Sequence, residues 1–501
     1  MRVNRKQFLQ VAAVSLAGGV RLSAQAPSVA RTKKEVRGNA IKGTTDAVRT
    51  FIASANLRQM PATVVSEGKR CLIDNIGVLL AGSTAEGSRI LRDYAHKSNG
   101  TKEATVLGRE PVMVSATHAA LANAGSAHAL DYDDTQLSTT PDRTFGLLTH
   151  PTTPALSAAL AVAERSGASG AAFLEAYLTG VEVECKMAEA IDPNHYERGF
   201  HSTGTLGVFG AAAAAGKLMK LNQAQLAHML AIAGSLSAGI RVNFGSMSKP
   251  LNAARASENG VFAAELASRW FTGGDNGLDG QWGFFQVLGD GADLGRIVGA
   301  LGQQWSIVSP GVSFKPYPCG SLSHPSMDAM MKVVKDHDLK PEQIKAVRLR
   351  AGNNILEPLR YGVAKNELEA KFSVPFLMSA VILTRRAGMR EFTDEFVQSP
   401  AAQTMMQRVT AVRDAGIEKQ GFDKIRSVVE VDLVDGRKLV QPSDDRYRGG
   451  PENPFSRADL KGKFDDCAGL VLPPHRLDAA FTAIEAVDSM ADVRQLVKVL
   501  A

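Results

Sequence analysis

The sequence predicts a mostly α-helical protein in which a large, discontinuous helical domain carries an inserted α+β lid domain. Three observations predict it. From Asp46 to about Ala300, apolar residues recur at helical spacing. From about Val308 the texture changes to short alternating runs, as strands require. After the Gly/Pro-rich stretch Arg448–Pro454, helical patterning returns and runs to Val499. A tail of that kind finds its apolar partner in the first segment. The expected boundaries are 46–305 and 451–501 for the helical domain and 306–450 for the lid.

The first 26 residues read as an export signal. Arg2, Arg5 and Lys6 form a basic start, Phe8 to Val20 is a short apolar segment, and Ser23-Ala-Gln-Ala26 offers an A-x-A cleavage site. Asn4-Arg5-Lys6-Gln-Phe8-Leu9 resembles a twin-arginine signal with Lys6 in the place of the second arginine. The expected location is periplasmic or otherwise exported. Pro27 to Thr45 is polar and aperiodic. Helical spacing then covers Cys71–Ala81, Pro154–Ala163, Ala171–Ile191, Thr205–Met219 and Gln223–Ile240. The last two are rich in Ala and Gly, which suits close helix packing. Gly210 to Lys217 is one residue too long for a phosphate loop and lacks the hydroxyl after its lysine. In the lid, Ala346–Ala351 alternates as a strand, and Arg426–Val440 reads as a hairpin turning at Asp435-Gly436. Ser326–Asp336 and Pro375–Thr384 are the helices between them.

Composition excludes several classes. The net charge of +6 shrinks to +2 once residues 1–26, with four basic side chains and no acidic one, are set aside. That balance is no nucleic-acid footprint. No apolar run reaches the roughly 20 residues of a membrane span. Four cysteines, Cys71, Cys185, Cys319 and Cys467, form no C-x-x-C pair and no disulfide framework. The ten histidines include no H-x-x-x-H or H-E-x-x-H, so neither a metal nor another cofactor is expected.

The chemistry concentrates in four blocks. The first is Ala127-His-Ala-Leu-Asp131-Tyr-Asp-Asp-Thr135 with Thr149-His150-Pro151. The others are Gly199-Phe-His201-Ser-Thr-Gly-Thr205, Gly245-Ser-Met-Ser-Lys249-Pro-Leu and Phe314-Lys315-Pro-Tyr-Pro-Cys319-Gly. So many titratable groups are costly near a core unless they pair or react. If the first block is helical, Asp131 and Thr135 share a face while Asp133 points elsewhere. Asp134 then suits a cap, as Ser202 and Thr203 do ahead of the helix after His201, whose N-terminus could hold an anion. Lys249 and Lys315 are cations suited to substrate carboxylates.

In this order the blocks resemble the 2-methylcitrate dehydratase (MmgE/PrpD) family, which also includes cis-aconitate decarboxylase, from about Asp46 to the C-terminus. The resemblance implies the inserted-lid fold and a homodimer through the helical domain. It also implies site roles for Asp131, Thr135, His150 and His201. In the decarboxylase type, His150 follows the Asp-rich block more closely; here Gln136–Leu148 is longer, with Pro141, Asp142 and Arg143 in it. That type also carries a catalytic His where this chain has Gly320, with His324 four residues on. The family often has His at Asn252, and Lys371-Phe-Ser-Val-Pro-Phe376 resembles a block that commonly ends in Tyr.

The constellation suits removal of a proton beside a carboxylate. Catalytic candidates are Asp131, His150, His201 and Lys249; substrate-binding candidates are Thr135, Lys315 and His324. Lysines would stabilise the developing charge, a histidine would act as base, and another histidine or a protonated Asp131 would give a proton to the leaving hydroxyl. The expected reaction is metal-independent elimination of water from a hydroxy di- or tricarboxylate. Alternatives are an epimerase, isomerase or decarboxylase of the same family, and a non-catalytic exported binder. Ser246-Met-Ser-Lys249 matches the S-x-x-K of β-lactamases, but S-D-N and K-T-G are absent. An export signal predicts a processed chain: N-terminal sequencing of the secreted product should begin at Pro27, and a product beginning at Met1 or Arg2 counts against cleavage.

Overall fold

A computed structural model describes residues 43–98, 100–137, 147–191, 194–289, 291–421 and 424–501. The expected signal segment 1–26 and most of the stretch between Gln136 and Leu148, with Pro141, Asp142 and Arg143, lie outside them. The described residues are 58% helix and 9% strand. Among the described residues no helix is long and apolar enough to cross a membrane.

The longer helices of the first part are α1 (Thr44–Ser54), α2 (Ala62–Gly82), α3 (Glu86–Lys97), α4 (Ala116–Ala129), α5 (Thr152–Ser166), α6 (Gly170–Ile191), α7 (Ser202–Leu218), α8 (Gln223–Leu236) and α9 (Ser248–Ser268). The α8 helix stops at Leu236, four residues before the expected end, and Ile240 instead bridges to Phe200. Small side chains decide how these helices meet. At Gly260 of α9 an added Cβ would lie 2.4 Å from the Ala211 Cβ and 2.6 Å from the Ala212 backbone nitrogen of α7. Only glycine permits that approach, which leaves α4, α7 and α9 in one tightly packed group with buried residues on nearly every side. The C-terminal end of α4 therefore meets the N-terminal ends of α7 and α9. Two short antiparallel ladders flank the group: β1 (Ala104–Val106) with β2 (Val112–Val114), and β3 (Gln136–Leu137) with β4 (Leu147–Thr149).

The sheet-bearing part contains α10 (His324–Asp336), β5 (Ile344–Ala351), α11 (Val374–Thr384), β6 (Val409–Arg413), β7 (Ser427–Leu433) and β8 (Lys438–Pro442). Its strand order is β6-β5-β7-β8, with β5 and β6 parallel and the other pairs antiparallel. The alternation in β5 buries Val347, Leu349 and Ala351, while Arg348 and Arg350 reach Glu430 on the other face. Gly436, at φ 92°, makes the β7–β8 turn. The sequence reading had not marked β6, whose outward residues keep one buried position, Val409. This part has its own apolar core, yet residues 40–501 cluster as one compact unit.

The tail forms α12 (Arg457–Ala468), α13 (Pro474–Glu485) and α14 (Arg494–Leu500). Leu460, Phe464 and Phe481 join the core under α2. Lys463 of α12 enters that interface and ion-pairs with Asp74 of α2 at 2.7 Å, both side chains buried. All four cysteines are free and buried. Removing one member of a buried pair strands the other, at about 3–5 kcal/mol. Urea denaturation of Lys463→Met should show a loss of that size. Adding Asp74→Asn should recover much of it; an unchanged midpoint in the single variant would refute the pairing.

Candidate active site

The site is built on the chain that leaves α4. The helix ends at Ala129, and Asp131 follows in the left-handed region at φ 50°. The Asp131–Thr135 segment is thus not helical, so the expected i, i+4 face does not form. Helix C-termini leave carbonyls without intrahelical partners, and cations there are favoured. Here three lysines supply them. Lys371 Nζ donates to the Ala129 carbonyl at 3.3 Å, Lys315 Nζ to the Asp131 carbonyl at 2.7 Å, and Lys463 Nζ to the Tyr132 carbonyl at 2.9 Å. Asp131 also offers one carboxylate oxygen, Oδ1, to Lys315 at 2.7 Å and to Lys249, second residue of α9, at 2.9 Å. Burial pushes the Asp131 carboxyl up, but the two ammoniums outweigh it and hold it well below the usual carboxylate range. Asp131 is therefore ionised, which removes it as the proton donor considered from the sequence.

Three imidazoles pack beside this junction. His128 lies 4.5 Å from His150 and 5.5 Å from His201, ring centre to ring centre. Burial lowers the pKa of all three, so they are neutral near pH 7. Their hydrogen bonds assign the protons. His128 Nδ1–H donates to Asp133, at 2.8 Å, leaving Nε2 to accept from Lys249 at 2.8 Å. His150 Nδ1–H donates to the Asp134 carbonyl at 2.9 Å, leaving its Nε2 lone pair free, 4.0 Å from Asp131 Oδ1. His201 Nδ1 accepts from Asn252 at 3.1 Å, which puts its proton on Nε2, a buried atom without a partner among the described residues. Asn252, where the family often has a histidine, thus sets a tautomer.

A cavity of about 30 Å3 opens at the junction. Asp131, His150, Lys249 and Lys315 line it, together with Tyr196, Phe244, Leu322, Leu359, Phe372, Gly320 and Ser321. Four of the seven expected site residues are therefore on the wall. His201 stacks behind on His128. Thr135 is fully buried, its backbone bridged to Ser313 and its hydroxyl unpartnered, and it does not reach the wall. His324 also misses it: its Nε2 bonds the Cys319 carbonyl at 3.3 Å, too far aside to replace a side chain at Gly320. Phe376 sits in the apolar core of the sheet-bearing part between Phe392 and Phe396, so its missing hydroxyl does not bear on the cavity. Ser202 and Thr203 do not cap α7; the Thr203 hydroxyl accepts from the His150 backbone N–H at 3.1 Å. Asp134 caps no helix either; it accepts from Thr152 at 2.6 Å, and burial raises its pKa.

Sequence reasoning missed His128 and Asp133. Asp133 does not point away: it accepts from His128 and from the Thr153 hydroxyl, at 2.7 Å, and its coupling to the imidazoles of His128 and His150 lowers its carboxyl pKa despite burial. The available signal was that His128 precedes Asp131 within the same block. Metal-ligand spacing was also an incomplete guide, because His128, His150 and His201 come from separate elements yet hold ligand atoms within 4.8 Å. The donor set nonetheless suits a cation poorly. The Lys249 ammonium already occupies His128 Nε2, and Lys315 shares Asp131, so a divalent ion would face two cations. A larger cleft of about 840 Å3 beside Tyr132 and Arg448 carries mixed acidic and basic side chains but no imidazole.

Residues 47–297 match the MmgE/PrpD N-terminal domain, and residues 317–488 match the MmgE/PrpD C-terminal domain. The chain belongs to the MmgE/PrpD family. It is 26% identical to cis-aconitate decarboxylase of Homo sapiens over 471 residues, covering 92% of this chain and 95% of that protein. The Mus musculus cis-aconitate decarboxylase is 25% identical, with 92% and 94% covered. The cis-aconitate decarboxylase-like protein oryM of Aspergillus oryzae is 24% identical, with 88% and 94% covered. Within this MmgE/PrpD chain, Asp131 is the anion that holds two buried ammoniums together. Asp131→Gly relieves the left-handed backbone but strands both lysines, a net loss of about 2–4 kcal/mol. In thermal denaturation the variant should melt lower, and formate, a free carboxylate, should recover part of the loss where chloride does not.

Proposed function

We propose that this MmgE/PrpD protein is a metal-independent lyase that removes a proton beside a carboxylate of a small hydroxy-polycarboxylate and eliminates water. The observation that carries the reading is the meeting of an unprotonated imidazole nitrogen, His150 Nε2, with two ammoniums at one cavity wall. Lys249 spends two of its three N–H donors on His128 and the Asp131 carboxylate, and Lys315 two on the Asp131 carbonyl and carboxylate, leaving one on each for substrate. Lys315 would hold the carboxylate while His150 Nε2 takes the neighbouring C–H proton. The electron pair moves toward that carboxylate, where the cations stabilise it, and then forms the C=C bond as the β-hydroxyl departs. Burial lowers the Lys249 pKa, which makes this ammonium a better proton donor to the leaving oxygen than an ordinary lysine. His201, stacked behind His128, would support that ring rather than touch the substrate. His150 then returns its proton to Lys249, and water and an alkene leave.

A second reading, decarboxylation, is favoured by the names of the human and mouse relatives, because loss of CO2 places the same charge beside the same lysines. Epimerisation would use only the first proton transfer. A cavity of one water's size admits a substrate only if a wall moves, so the sheet-bearing part, which brings Lys315, Leu359 and Phe372, would act as a lid. Thr135 and His324 would support this wall rather than touch substrate. Homodimerisation through the helical part is supported by large apolar side chains it exposes, among them Phe262, Trp270, Phe271 and Trp282. Export is supported by the basic-apolar-A-x-A pattern of residues 1–26.

Proton NMR of the purified mature chain with hydroxy acids in deuterated water tests the chemistry. Deuterium should enter beside a carboxylate, with an alkene signal, and His150→Gln or Lys315→Met should slow it by about 100- to 10,000-fold. Loss of CO2 would indicate the decarboxylase, and exchange without alkene the epimerase. Binding without exchange would leave a non-catalytic binder.

A further inference from the structure

A buried chain of hydrogen bonds stands behind Lys249 and takes no part in the proposed proton transfers. Its links come from four helices and a loop, and each has a settled direction. Asn75 Nδ2 of α2 donates to the Thr153 hydroxyl of α5 at 2.9 Å, so the Thr153 proton turns to Asp133, at 2.7 Å. Asp133 takes the His128 Nδ1–H at 2.8 Å, and the His128 Nε2 lone pair takes an N–H of Lys249 at 2.8 Å. Asn75, Thr153, Asp133 and His128 are buried and do not line the cavity, whereas Lys249 does. Burying a carboxylate and an imidazole is costly, and packing alone would be served by apolar side chains. The chain ends on an ammonium whose three N–H bonds sit at tetrahedral angles. His128 holds one and Asp131 Oδ1 a second, at 2.9 Å; the third has no acceptor among the described residues.

We propose that Asp133 and His128 are positioning residues for Lys249: Asp133 holds the His128 proton on Nδ1, and the Nε2 lone pair so freed fixes the ammonium with its third N–H presented to the cavity. The inference rests on the proposed lyase chemistry and names what aims its acid. The N–H bond that breaks as the β-hydroxyl leaves is this third one. Its proton goes to the departing oxygen, and its electron pair stays on Nζ, facing the cavity, where His150 returns a proton. In the other tautomer His128 Nε2–H would face the ammonium, donor against donor, and Lys249 would lose a proton to become the acceptor. Burial lowers the Lys249 pKa, Lys315 adds to this, and Asp131 and Asp133 oppose it. The imidazoles around it, His128, His150 and His201, are neutral.

Selective 15N labelling of histidine and lysine in the purified chain tests this, with deuterium exchange into citrate, isocitrate and malate as the kinetic readout. The His128 proton should lie on Nδ1, and on Nε2 in Asp133→Asn, where an amide N–H donates to Nδ1. Lys249 Nζ should then lose its proton at lower pH than in the native chain. The exchange kcat should fall about 100- to 10,000-fold with KM changed less than about threefold, since Lys315 still holds the carboxylate. His128→Gln, whose amide oxygen accepts from Lys249 without Asp133, should keep kcat within about tenfold and be indifferent to added Asp133→Asn. His128→Leu, with no acceptor, should lose as much as Asp133→Asn, and it serves in its place if that variant does not fold. A His128 proton on Nε2 in the native chain or still on Nδ1 in Asp133→Asn overturns the inference. So does an unmoved Lys249 titration, or His128→Leu as active as His128→Gln. The 15N readouts need no turnover: the expected tautomers and titration without exchange on any of the acids would keep the positioning and sink the lyase. Equal exchange in every variant would keep the lyase and sink the positioning.

Discussion

Four lysine ammoniums converge on the five residues that follow the middle of the last turn of α4, and the rest of the structure depends on that grip. Lys371 and Lys315 arrive from the sheet-bearing part, Lys463 from the C-terminal tail and Lys249 from α9. Their partners are the last carbonyl of the helix, at Ala129, those of Asp131 and Tyr132 in the loop after it, the His128 ring and the single carboxylate of Asp131. Hydrogen bonds to charged groups contribute about 1.5–3 kcal/mol each, enough to hold Asp131 in a left-handed conformation that costs roughly 1–2 kcal/mol. The same contacts tie three regions far apart in the chain to one loop. The site thus exists only when all of them are in place, which is why so small a cavity needs so long a chain.

Within that frame the division of labour among the histidines is set by what each Nδ1 touches. Asp133 and the Asp134 carbonyl are acceptors, so they draw the protons of His128 and His150 to Nδ1. Asn252 donates, so the proton of His201 lies on Nε2. Burial keeps all three uncharged, so their differences come from tautomer rather than charge. One ring presents a lone pair to the cavity, one accepts from Lys249, and one holds a spare donor. Neighbouring residues of no chemical reactivity have thereby made three identical side chains into three different groups.

Much of this was legible in the sequence because periodicity and local motifs are local properties. The helices between Cys71 and Met219, the β7–β8 hairpin with its Asp-Gly turn, and the mostly helical class follow from spacing alone. Asp131, His150, Lys249 and Lys315 were visible as charged residues in blocks that resemble a family. What was not legible depends on three dimensions. The Asp131 loop looked helical because α4 before it is, but the lysines that stop the helix lie more than a hundred residues away in the chain. His128 and Asp133 were hidden by a loop spacing that matches no motif. Phe376 and His324 looked relevant by position, and only packing shows that one belongs to an apolar core and the other to a carbonyl of its own turn. The metal argument failed in its form for the same reason, since ligand spacing in sequence does not limit imidazoles from separate elements.

Asp131 also gives the proposed site a means of coupling binding to closure. Lys315 lies in the segment that leads into the sheet-bearing part and Lys249 in α9, and one oxygen of Asp131 joins them. In the proposed opening, a movement large enough to admit a substrate would separate Lys315 from Asp131 and expose its ammonium. A substrate carboxylate is then the natural replacement partner, and closing over it restores the bridge between the two parts with the ligand inside. An acid without a carboxylate at that end would leave Lys315 unpaired in the closed arrangement. Closure of that kind would select for a carboxylate at Lys315 before any proton moves. The small volume of the cavity follows from the same logic: the walls meet whenever Asp131 alone holds the lysines.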